Sequence, residues 1–171
     1  EPLEPEYQYF REGLILYTYL HLAPLPVLTR KLMDTKVRAI AYETVENPDG
    51  SLPLLRPMSQ VAGRMSMQVA AGALMRTKGR GRGILLGGVP GVAPAKVVII
   101  GGGVSGTNAA GMAMGMEAHV AVIDRSLERL YELDLQFGPM LNTIFSTVDA
   151  IEQHVAGADL LIGAVLIPGA A

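Results

Sequence analysis

The sequence predicts an α/β protein built on a doubly wound parallel β-sheet with helices on both faces. Two observations support this fold class. Short apolar runs rich in β-branched residues, such as Val97–Ile100, alternate with segments of helical periodicity along the C-terminal half of the chain. The loops between these segments are short, so consecutive strands are expected to run parallel and to be joined by right-handed crossovers.

Residues 1–56 predict part of a smaller α/β domain. A short polar and aromatic helix or turn comes first, and it is followed by predicted elements in this order: strand 14–22, helix Val27–Met33 and strand Val37–Tyr42. The segment Asn47–Gly50 reads Asn-Pro-Asp-Gly, and it predicts a turn because proline fixes φ and glycine tolerates a positive φ.

Residues 57–94 predict a long helix and a glycine-rich connector. Pro57 suits the first turn of a helix of about twenty residues. The apolar face of this helix is predicted from the spacing of Val61, Met65, Val69 and Leu74. The basic, glycine-spaced segment Lys78–Gly83 predicts a solvated loop. A second glycine-rich loop, Gly87–Val92, leads into the next strand.

The strongest chemical signal in residues 95–171 is a glycine motif. Gly101, Gly103 and Gly106 have the spacing G-x-G-x-x-G at the point where a strand gives way to a small-residue helix. The first glycine permits a tight turn, the second permits close approach of a pyrophosphate, and the third permits close packing of helix and strand. Val104 and Ser105 begin the helix, whose N-terminal N–H groups favour a phosphate. The motif predicts a Rossmann-like nucleotide-binding fold.

Asp124 ends the second strand of this fold, 18 residues after Gly106. A carboxylate near this distance accepts both hydroxyls of an adenosine ribose and repels a 2′-phosphate, which favours NAD over NADP. Arg125 leaves an alternative open, because its guanidinium could pair with that phosphate or lie over the adenine. A second alternative is that the turn is an ordinary strand–helix connection and that Asp124 caps the helix beginning near Ser126.

The alternation continues to the end of the chain with further predicted elements: helix Ser126–Phe137, strand Leu141–Phe145, helix Val148–Val155 and strand Leu160–Ala164. Residues 95–171 therefore contain about four parallel strands, whereas a complete dinucleotide-binding sheet has about six. We expect the second half of the sheet to be missing. The unpaired sheet edge and exposed apolar surface that result predict a tendency to self-associate.

Composition limits the possible partners. Half of the residues are hydrophobic and 18% are charged, which excludes an intrinsically disordered chain. A net charge of −2 disfavours nucleic acid as a partner. The absence of cysteine fits a reducing cytoplasm. Glycines and polar residues interrupt the uncharged stretch 97–116, so no membrane partner is predicted.

His21 is the candidate acid/base residue. It ends an apolar predicted strand beside Tyr19 and precedes a proline-containing turn, where an imidazole could reach a sheet edge or cleft. His119 and His154 are predicted to be structural. No histidine lies at metal-ligand spacing from a second ligand, so no metal site is predicted. The absence of a G-x-S-x-G segment argues against a serine hydrolase.

Several longer motifs resemble alanine dehydrogenases. They are Tyr19–Leu22, Ala41–Val45, Pro48–Leu55, Pro57–Ser59, Ala62–Met65, Leu85–Val92, Gly101–Val104, Gly106–Ala110 and Ile162–Ala170. The resemblance covers essentially the whole chain. It implies NAD-dependent oxidative deamination of L-alanine to pyruvate and ammonia by a two-domain, cytoplasmic homohexamer. Residues 1–56 would then be part of the substrate domain and residues 95–171 the first half of the NAD-binding domain.

The same resemblance implies roles for individual residues. His21 matches the catalytic histidine. The positions that line the pyruvate and nicotinamide pocket are Tyr19, Leu55 and Met58. The cofactor positions outside the glycine turn are Ser59 at the phosphates, Asp124 at the ribose, Ser146 near the adenine, and Ala164, Val165 and Leu166 beneath the nicotinamide ribose. Ser105 stands where the family usually has valine, and we expect little effect because the backbone donors of the turn remain.

The resemblance also implies that other catalytic residues lie outside this chain. The family's substrate-binding lysine and arginine would precede Glu1, and its catalytic aspartate and a nicotinamide-contacting asparagine would follow Ala171. We therefore expect an internal segment of a longer enzyme that is inactive alone. Two alternatives remain open. One is the nucleotide-binding subunit of a proton-translocating NAD(P) transhydrogenase, and the other is a non-catalytic NAD-binding or assembly module.

Overall fold

The computed structural model describes residues 1–76 and 81–166. The chain forms two compact units, one comprising Glu1–Met58 and the other beginning at Ser59. Part of the predicted basic loop, residues 78–80, and the end of the last motif, from residue 167 onward, lie outside the described residues. Among the described residues, no helix combines the length and the hydropathy needed to cross a membrane.

The first unit contains a two-stranded parallel sheet and one α-helix. After a 3-10 turn at Glu4–Tyr9, its elements are β1 (Ile15–Thr18), α1 (Pro26–Asp34) and β2 (Arg38–Ala41). The strands pair in parallel, with Ile15 opposite Arg38. Leu28 and Leu32 of α1 pack with Leu20 in a small core. The sheet is thus covered by a helix on the face that carries Leu16 and Ala41.

The predicted strand over residues 14–22 is too long. β1 ends at Thr18. Beyond this point, the carboxylate of Glu43 accepts the N–H groups of Leu20 and His21, which are then not available to a neighbouring strand. His21 also has a left-handed φ of 48°. It therefore lies in a loop after the strand, and not at the end of the strand as predicted.

The second unit is built on a four-stranded parallel sheet with the order β5-β4-β3-β6. Its elements are α2 (Arg56–Leu74, which begins in the first unit), β3 (Lys96–Ile100), α3 (Val104–Gly115), β4 (His119–Asp124), α4 (Leu127–Phe137), β5 (Leu141–Phe145), α5 (Val148–Ala156) and β6 (Leu160–Gly163). This order is that of the first half of a doubly wound sheet, which confirms the predicted fold class. The predicted bounds of these strands agree with the structure to within one residue.

The core of the second unit lies between β3, β4 and the small-residue helix α3. Val97 and Ile99 of β3 and Val122 of β4 are almost fully buried, and Ala109 and Ala113 of α3 pack against them. Continuous burial along a strand is expected where crossover helices cover both faces of a parallel sheet. This core fixes the carboxyl ends of the strands, where the candidate site lies.

Helix α2 buries a different face from the one predicted. Its buried residues are Gly63, Met67, Ala70 and Leu74, and of the four predicted residues only Leu74 is among them. The reason is a close contact with α3, because a Cβ atom at Gly63 would lie 2.2 Å from the carbonyl oxygen of Ser105. Glycine and alanine permit this approach, but they contribute little to a hydrophobic pattern. Val61, Met65 and Val69 are exposed instead.

Candidate functional site

The glycine turn joins β3 to α3 at the carboxyl edge of the sheet. Gly101 has a φ of 100°, and a Cβ atom there would lie 2.6 Å from the carbonyl oxygen of Ala164. A Cβ atom at Gly106 would lie 1.8 Å from the carbonyl oxygen of Gly101. At Gly103, by contrast, a Cβ atom would have no described heavy atom within 4 Å. The fold itself therefore requires the first and third glycines, whereas the second borders open space.

The N-terminus of α3 presents backbone donors beside this open space. The N-cap residue is Gly103, which has no side chain to accept a hydrogen bond, and the first turn contains no acidic residue. The first N–H groups of an α-helix have no acceptor within the helix and carry the positive end of its dipole, so they suit an anion. The hydroxyl of Ser105 donates to the carbonyl oxygen of Ser59 at 3.0 Å. Ser59 is thereby held next to this turn.

Asp124 connects the end of β4 to the glycine turn. Its Oδ2 accepts the N–H of Gly102 at 2.6 Å, and its Oδ1 accepts the N–H of Ser126 at 2.8 Å. About two of the four lone-pair positions of the carboxylate remain for other donors. Ser126 itself is the N-cap of α4, since its hydroxyl accepts the N–H of Arg129 at 3.2 Å. The N-cap of α4 is thus Ser126 and not Asp124, whose two carboxylate oxygens connect Ser126 to the glycine turn.

The sequence did not predict a role for Arg129 at this site. Its Nε donates to the carbonyl oxygen of Gly102 at 2.7 Å, its Nη2 donates to the hydroxyl of Thr107 at 2.6 Å, and its Nη1 pairs with Glu132. These bonds connect α4 to both sides of the glycine turn. Arg125, which the sequence had suggested, is exposed. No local pattern distinguishes the two arginines, because the contacts of Arg129 arise only when α4 packs on the sheet.

The remaining predicted cofactor residues follow the neighbouring strands. Ser146 follows β5, and its N–H donates to the carbonyl oxygen of Asp124 at 2.9 Å. Ala164 follows β6, and Val165 comes within 3.1 Å of the position of a Cβ atom on Gly101. Leu166 is exposed at the end of the described segment. The sheet therefore brings these residues, the glycine turn and Asp124 to one edge.

In the first unit, Glu43 holds the loop that carries His21. One carboxylate oxygen accepts the N–H of His21 at 2.6 Å and the N–H of Leu20 at 3.1 Å. A φ of 48° is uncommon for a residue other than glycine. The two hydrogen bonds to an ionised acceptor favour this backbone conformation. The His21 side chain is thus presented from a fixed loop, although the residue itself is exposed.

The pKa of Glu43 lies below its ordinary value of 4.5. Burial acts in the opposite direction and raises this pKa, but hydrogen bonds from backbone N–H groups, including those of His21 and Leu20, and the positive charge of His21 lower it by more. Glu43 therefore remains ionised at neutral pH. Glu43 lies within the Ala41–Val45 motif, but neither that motif nor its separation from His21 indicates this contact.

Two contacts within the first unit hold the side chain of Tyr19. Its hydroxyl donates to the carbonyl oxygen of Leu54 at 2.6 Å, and its ring packs edge-on against Tyr42 with ring centroids 5.0 Å apart. Tyr19 is therefore held next to the segment that contains Leu55. Met58 occupies an exposed position in the first turn of α2.

Two domain families match the chain. Residues 1–62 match the model of the alanine dehydrogenase/PNT N-terminal domain, and residues 66–171 match that of the corresponding C-terminal domain. Among curated proteins, alanine dehydrogenase 2 of Staphylococcus aureus (strain USA300) is 60% identical over 99% of this chain. The alanine dehydrogenase of Staphylococcus haemolyticus (strain JCSC1435) is 61% identical over the same share. The chain spans 45% of the length of each of these relatives.

Solved structures give the same result. An L-alanine dehydrogenase matches 99% of the chain with a TM-score of 0.86 and 56% identity, and the chain covers 46% of it. A transhydrogenase from Sinorhizobium meliloti matches 99% of the chain with a TM-score of 0.71 and 21% identity, and the chain covers 49% of it. At that identity the second match shows a shared fold alone. The chain belongs to the alanine dehydrogenase/PNT family.

Proposed function

We propose that this chain is the NAD-binding and histidine-bearing segment of an enzyme that oxidatively deaminates L-alanine to pyruvate and ammonia. The observation that carries the proposal is the 60% identity to an alanine dehydrogenase over 99% of the chain. The parent is proposed to be a homo-oligomer, which is a hexamer by resemblance. The transhydrogenase alternative has weaker support, because the likeness to that protein rests on 21% identity.

NAD fits the carboxyl edge of the second unit. Gly103 borders open space beside the unpaired N–H groups of α3, which suit a pyrophosphate. Asp124 uses two lone-pair positions for backbone N–H groups and has about two more for the hydroxyls of a ribose. A 2′-phosphate at this place would meet the same carboxylate, and we therefore favour NAD over NADP.

The residues of this chain then have distinct tasks. Bound NAD supplies the acceptor for the hydride that leaves Cα of L-alanine. The glycine turn and Ser59 bind the phosphates, and Asp124 orients the adenosine ribose. His21 exchanges a proton, through a ring nitrogen, with the group on the substrate carbon as the amino group is replaced by oxygen from water. Glu43 holds the backbone of His21 during this exchange.

The chain of 171 residues is proposed to bind NADH without turning over. By resemblance it carries one acid/base residue, while the partner residues for the substrate carboxylate and for proton transfer belong to other parts of the family's sequence. Loss of an acid/base group lowers a rate by about 10²–10⁴-fold, and loss of positioning groups lowers it further. The isolated chain would then behave as the non-catalytic binding module considered from its sequence.

A segment exchange tests the proposed activity. The 170 matching residues of Staphylococcus aureus alanine dehydrogenase 2 are replaced by those of this chain, and oxidation of L-alanine is measured as NADH formation. We expect an active chimera whose rate falls by about 10²–10⁴-fold on His21→Ala. His119→Ala serves as the control, because His119 begins β4 at the opposite edge of the sheet. A folded chimera that binds NADH but does not oxidise L-alanine would contradict the proposal. Turnover by the isolated chain would contradict its inactivity.

A further inference from the structure

Ser105 contacts helix α2 at two points. Its hydroxyl donates to the carbonyl oxygen of Ser59 at 3.0 Å, and its own carbonyl oxygen lies 2.2 Å from the position of a Cβ atom on Gly63. Ser59 and Gly63 are four residues apart and therefore lie on the same face of α2. Both contacts lie within the second unit, which begins at Ser59. Ser105 thus meets α2 through its side chain and through its backbone.

The Ser105 hydroxyl bonds a different helix and not its own. Serine and threonine in a helix often donate to the carbonyl oxygen four residues earlier, as Thr107 does to Gly103 at 2.8 Å. The corresponding acceptor for Ser105 is the carbonyl oxygen of Gly101, which Gly106 covers so closely that a Cβ atom would not fit. A half-buried hydroxyl requires an acceptor, and α2 supplies it.

A second polar contact joins α2 and α3 further from the start of both helices. Nε of Arg64 donates to Oδ1 of Asn108 at 3.1 Å, and Nδ2 of Asn108 donates to the carbonyl oxygen of Val104 at 2.9 Å. The bond from Ser105 instead reaches the first turn of α2, which contains Ser59. The position of Ser59 next to the glycine turn therefore depends on the Ser105 hydroxyl.

We propose that Ser105 is a positioning residue for the cofactor, because its hydroxyl fixes Ser59 at the glycine turn. The inference rests on the NAD site proposed above, in which this turn and Ser59 bind the phosphates. Valine, which the resemblance implies at this position, has no hydroxyl to donate. With valine, the first turn of α2 would lose its bond to α3, and the Ser59 hydroxyl would be held less well for a phosphate. The effect on NAD binding is thus larger than the sequence alone suggests.

Two substitutions of the same shape test this role in the 171-residue chain. Ser105→Thr keeps a hydroxyl and Ser105→Val replaces it with a methyl group, so the two variants differ in the donor alone. We expect Ser105→Thr to bind NADH within about twofold of wild type and Ser105→Val to bind it about fivefold more weakly, as measured by calorimetry. In the segment-exchange chimera, Ser105→Val should raise the KM for NAD by about the same factor with kcat unchanged, because the bond is present before and during the reaction.

A double-mutant cycle separates positioning from a general effect on the fold. When Ser59→Ala has already removed the hydroxyl that is positioned, Ser105→Val should lower NADH affinity by less than about twofold. A loss of about fivefold in that background would show that Ser105 does not act through Ser59, and it would overturn the proposal. Ser66→Ala is the control and should leave NADH affinity unchanged, because the Ser66 hydroxyl donates to the carbonyl oxygen of Gly63 within α2.

The remaining outcomes separate this role from the NAD site itself. Equal NADH affinity of Ser105→Thr and Ser105→Val would overturn the role of Ser105 and leave the NAD site intact. A folded wild-type chain that does not bind NADH would overturn the NAD site and the role of Ser105 together. Circular dichroism checks the fold of each variant, and Ser105→Ala replaces Ser105→Val if the latter does not fold.

Discussion

The two units of this chain use the same device, and in each the carboxylate binds a backbone N–H group 22 positions earlier in the chain. In each, one carboxylate accepts two backbone N–H groups next to a candidate functional position. Asp124 accepts those of Gly102 and Ser126, and Glu43 accepts those of Leu20 and His21. In the second unit the carboxylate is itself the proposed ligand group. In the first unit the carboxylate holds the functional residue in place.

This difference explains why one site is easily predicted and the other is not. Asp124 belongs to a continuous strand–turn–helix–strand segment, whose glycine spacing reveals the geometry. His21 depends on Glu43, which lies on the far side of α1 and β2 in the sequence. A site that is built from one contiguous segment carries a sequence pattern. A site that is built across elements carries none that one sequence reveals.

The largest expected effect is a loss of stability in the second unit alone. Gly106→Ala places a Cβ atom 1.8 Å from the Gly101 carbonyl oxygen, so β3 and α3 must move apart. We expect a loss of about 3 kcal/mol in unfolding free energy, measured by urea denaturation, and loss of NADH binding. Gly111→Ala is the matched control, because its Cβ atom would meet only Phe137 at 3.9 Å. Equal stability of the two variants would refute the assigned role of Gly106.

The next largest expected effect is a loss of stability in the first unit alone. Glu43→Ala removes an ionised acceptor from two N–H groups, one of which belongs to the buried Leu20. We expect a loss of about 2 kcal/mol in unfolding free energy and faster amide exchange at Leu20 and His21, with NADH affinity unchanged. Glu46→Ala removes a nearby exposed carboxylate as a control. Unchanged exchange rates at both amides would show that Glu43 does not hold the loop.

The pH dependence of stability provides a further test of the role of Glu43. The pKa of Glu43 is lower in the folded chain than its ordinary value of 4.5, so its stabilising contribution is present above about pH 4.5. That contribution is lost as the pH falls through the folded pKa. The difference in stability between wild type and Glu43→Gln should therefore be present above about pH 4.5 and shrink in stronger acid. Asp49, whose pKa Ser51 also lowers, is present in both proteins and cancels. A difference that does not shrink below about pH 4.5 would contradict the assignment.

The smallest effect distinguishes the two arginines near the glycine turn. Arg129→Lys keeps the charge but loses the planar group that bonds both Gly102 and Thr107. We expect NADH affinity to fall by about fivefold to tenfold, equivalent to about 1 kcal/mol. Arg125→Lys should change it by less than twofold, because Arg125 is exposed. A larger effect at Arg125, measured by calorimetry, would support the sequence-based suggestion instead.

The fold of the second unit was predictable because its central strands β3 and β4 are buried along most of their length. Val97–Ile100 reads as one apolar run, and the bounds of these two strands follow from such runs. The first unit has shorter strands with partly exposed side chains, and there the predicted strand ran four residues too far. The prediction of the buried face of α2 was wrong for a different reason. Gly63 forms a close helix contact, and neither Gly63 nor the buried Ala70 gives a strong hydrophobic signal.

The candidate site was also predictable only in part. The glycine turn and Asp124 follow from spacing, and the structure places them together. Arg129 and Glu43 belong to no comparable pattern of residue types and spacing, although their contacts span a chain distance similar to that of the Asp124–Gly102 contact. The roles of Ser146 and of Ala164–Leu166 came from resemblance, and their position at the carboxyl edge is compatible with those roles.

Calorimetric titration of the 171-residue chain with NADH tests the central claim most directly. Wild type should bind, and Asp124→Asn should weaken NADH binding by about tenfold or more while reducing the preference for NADH over NADPH. Glu152→Gln, which removes one exposed negative charge from α5, should leave both quantities unchanged. Equal NADH affinity in wild type and Asp124→Asn, with both proteins folded, would contradict the account.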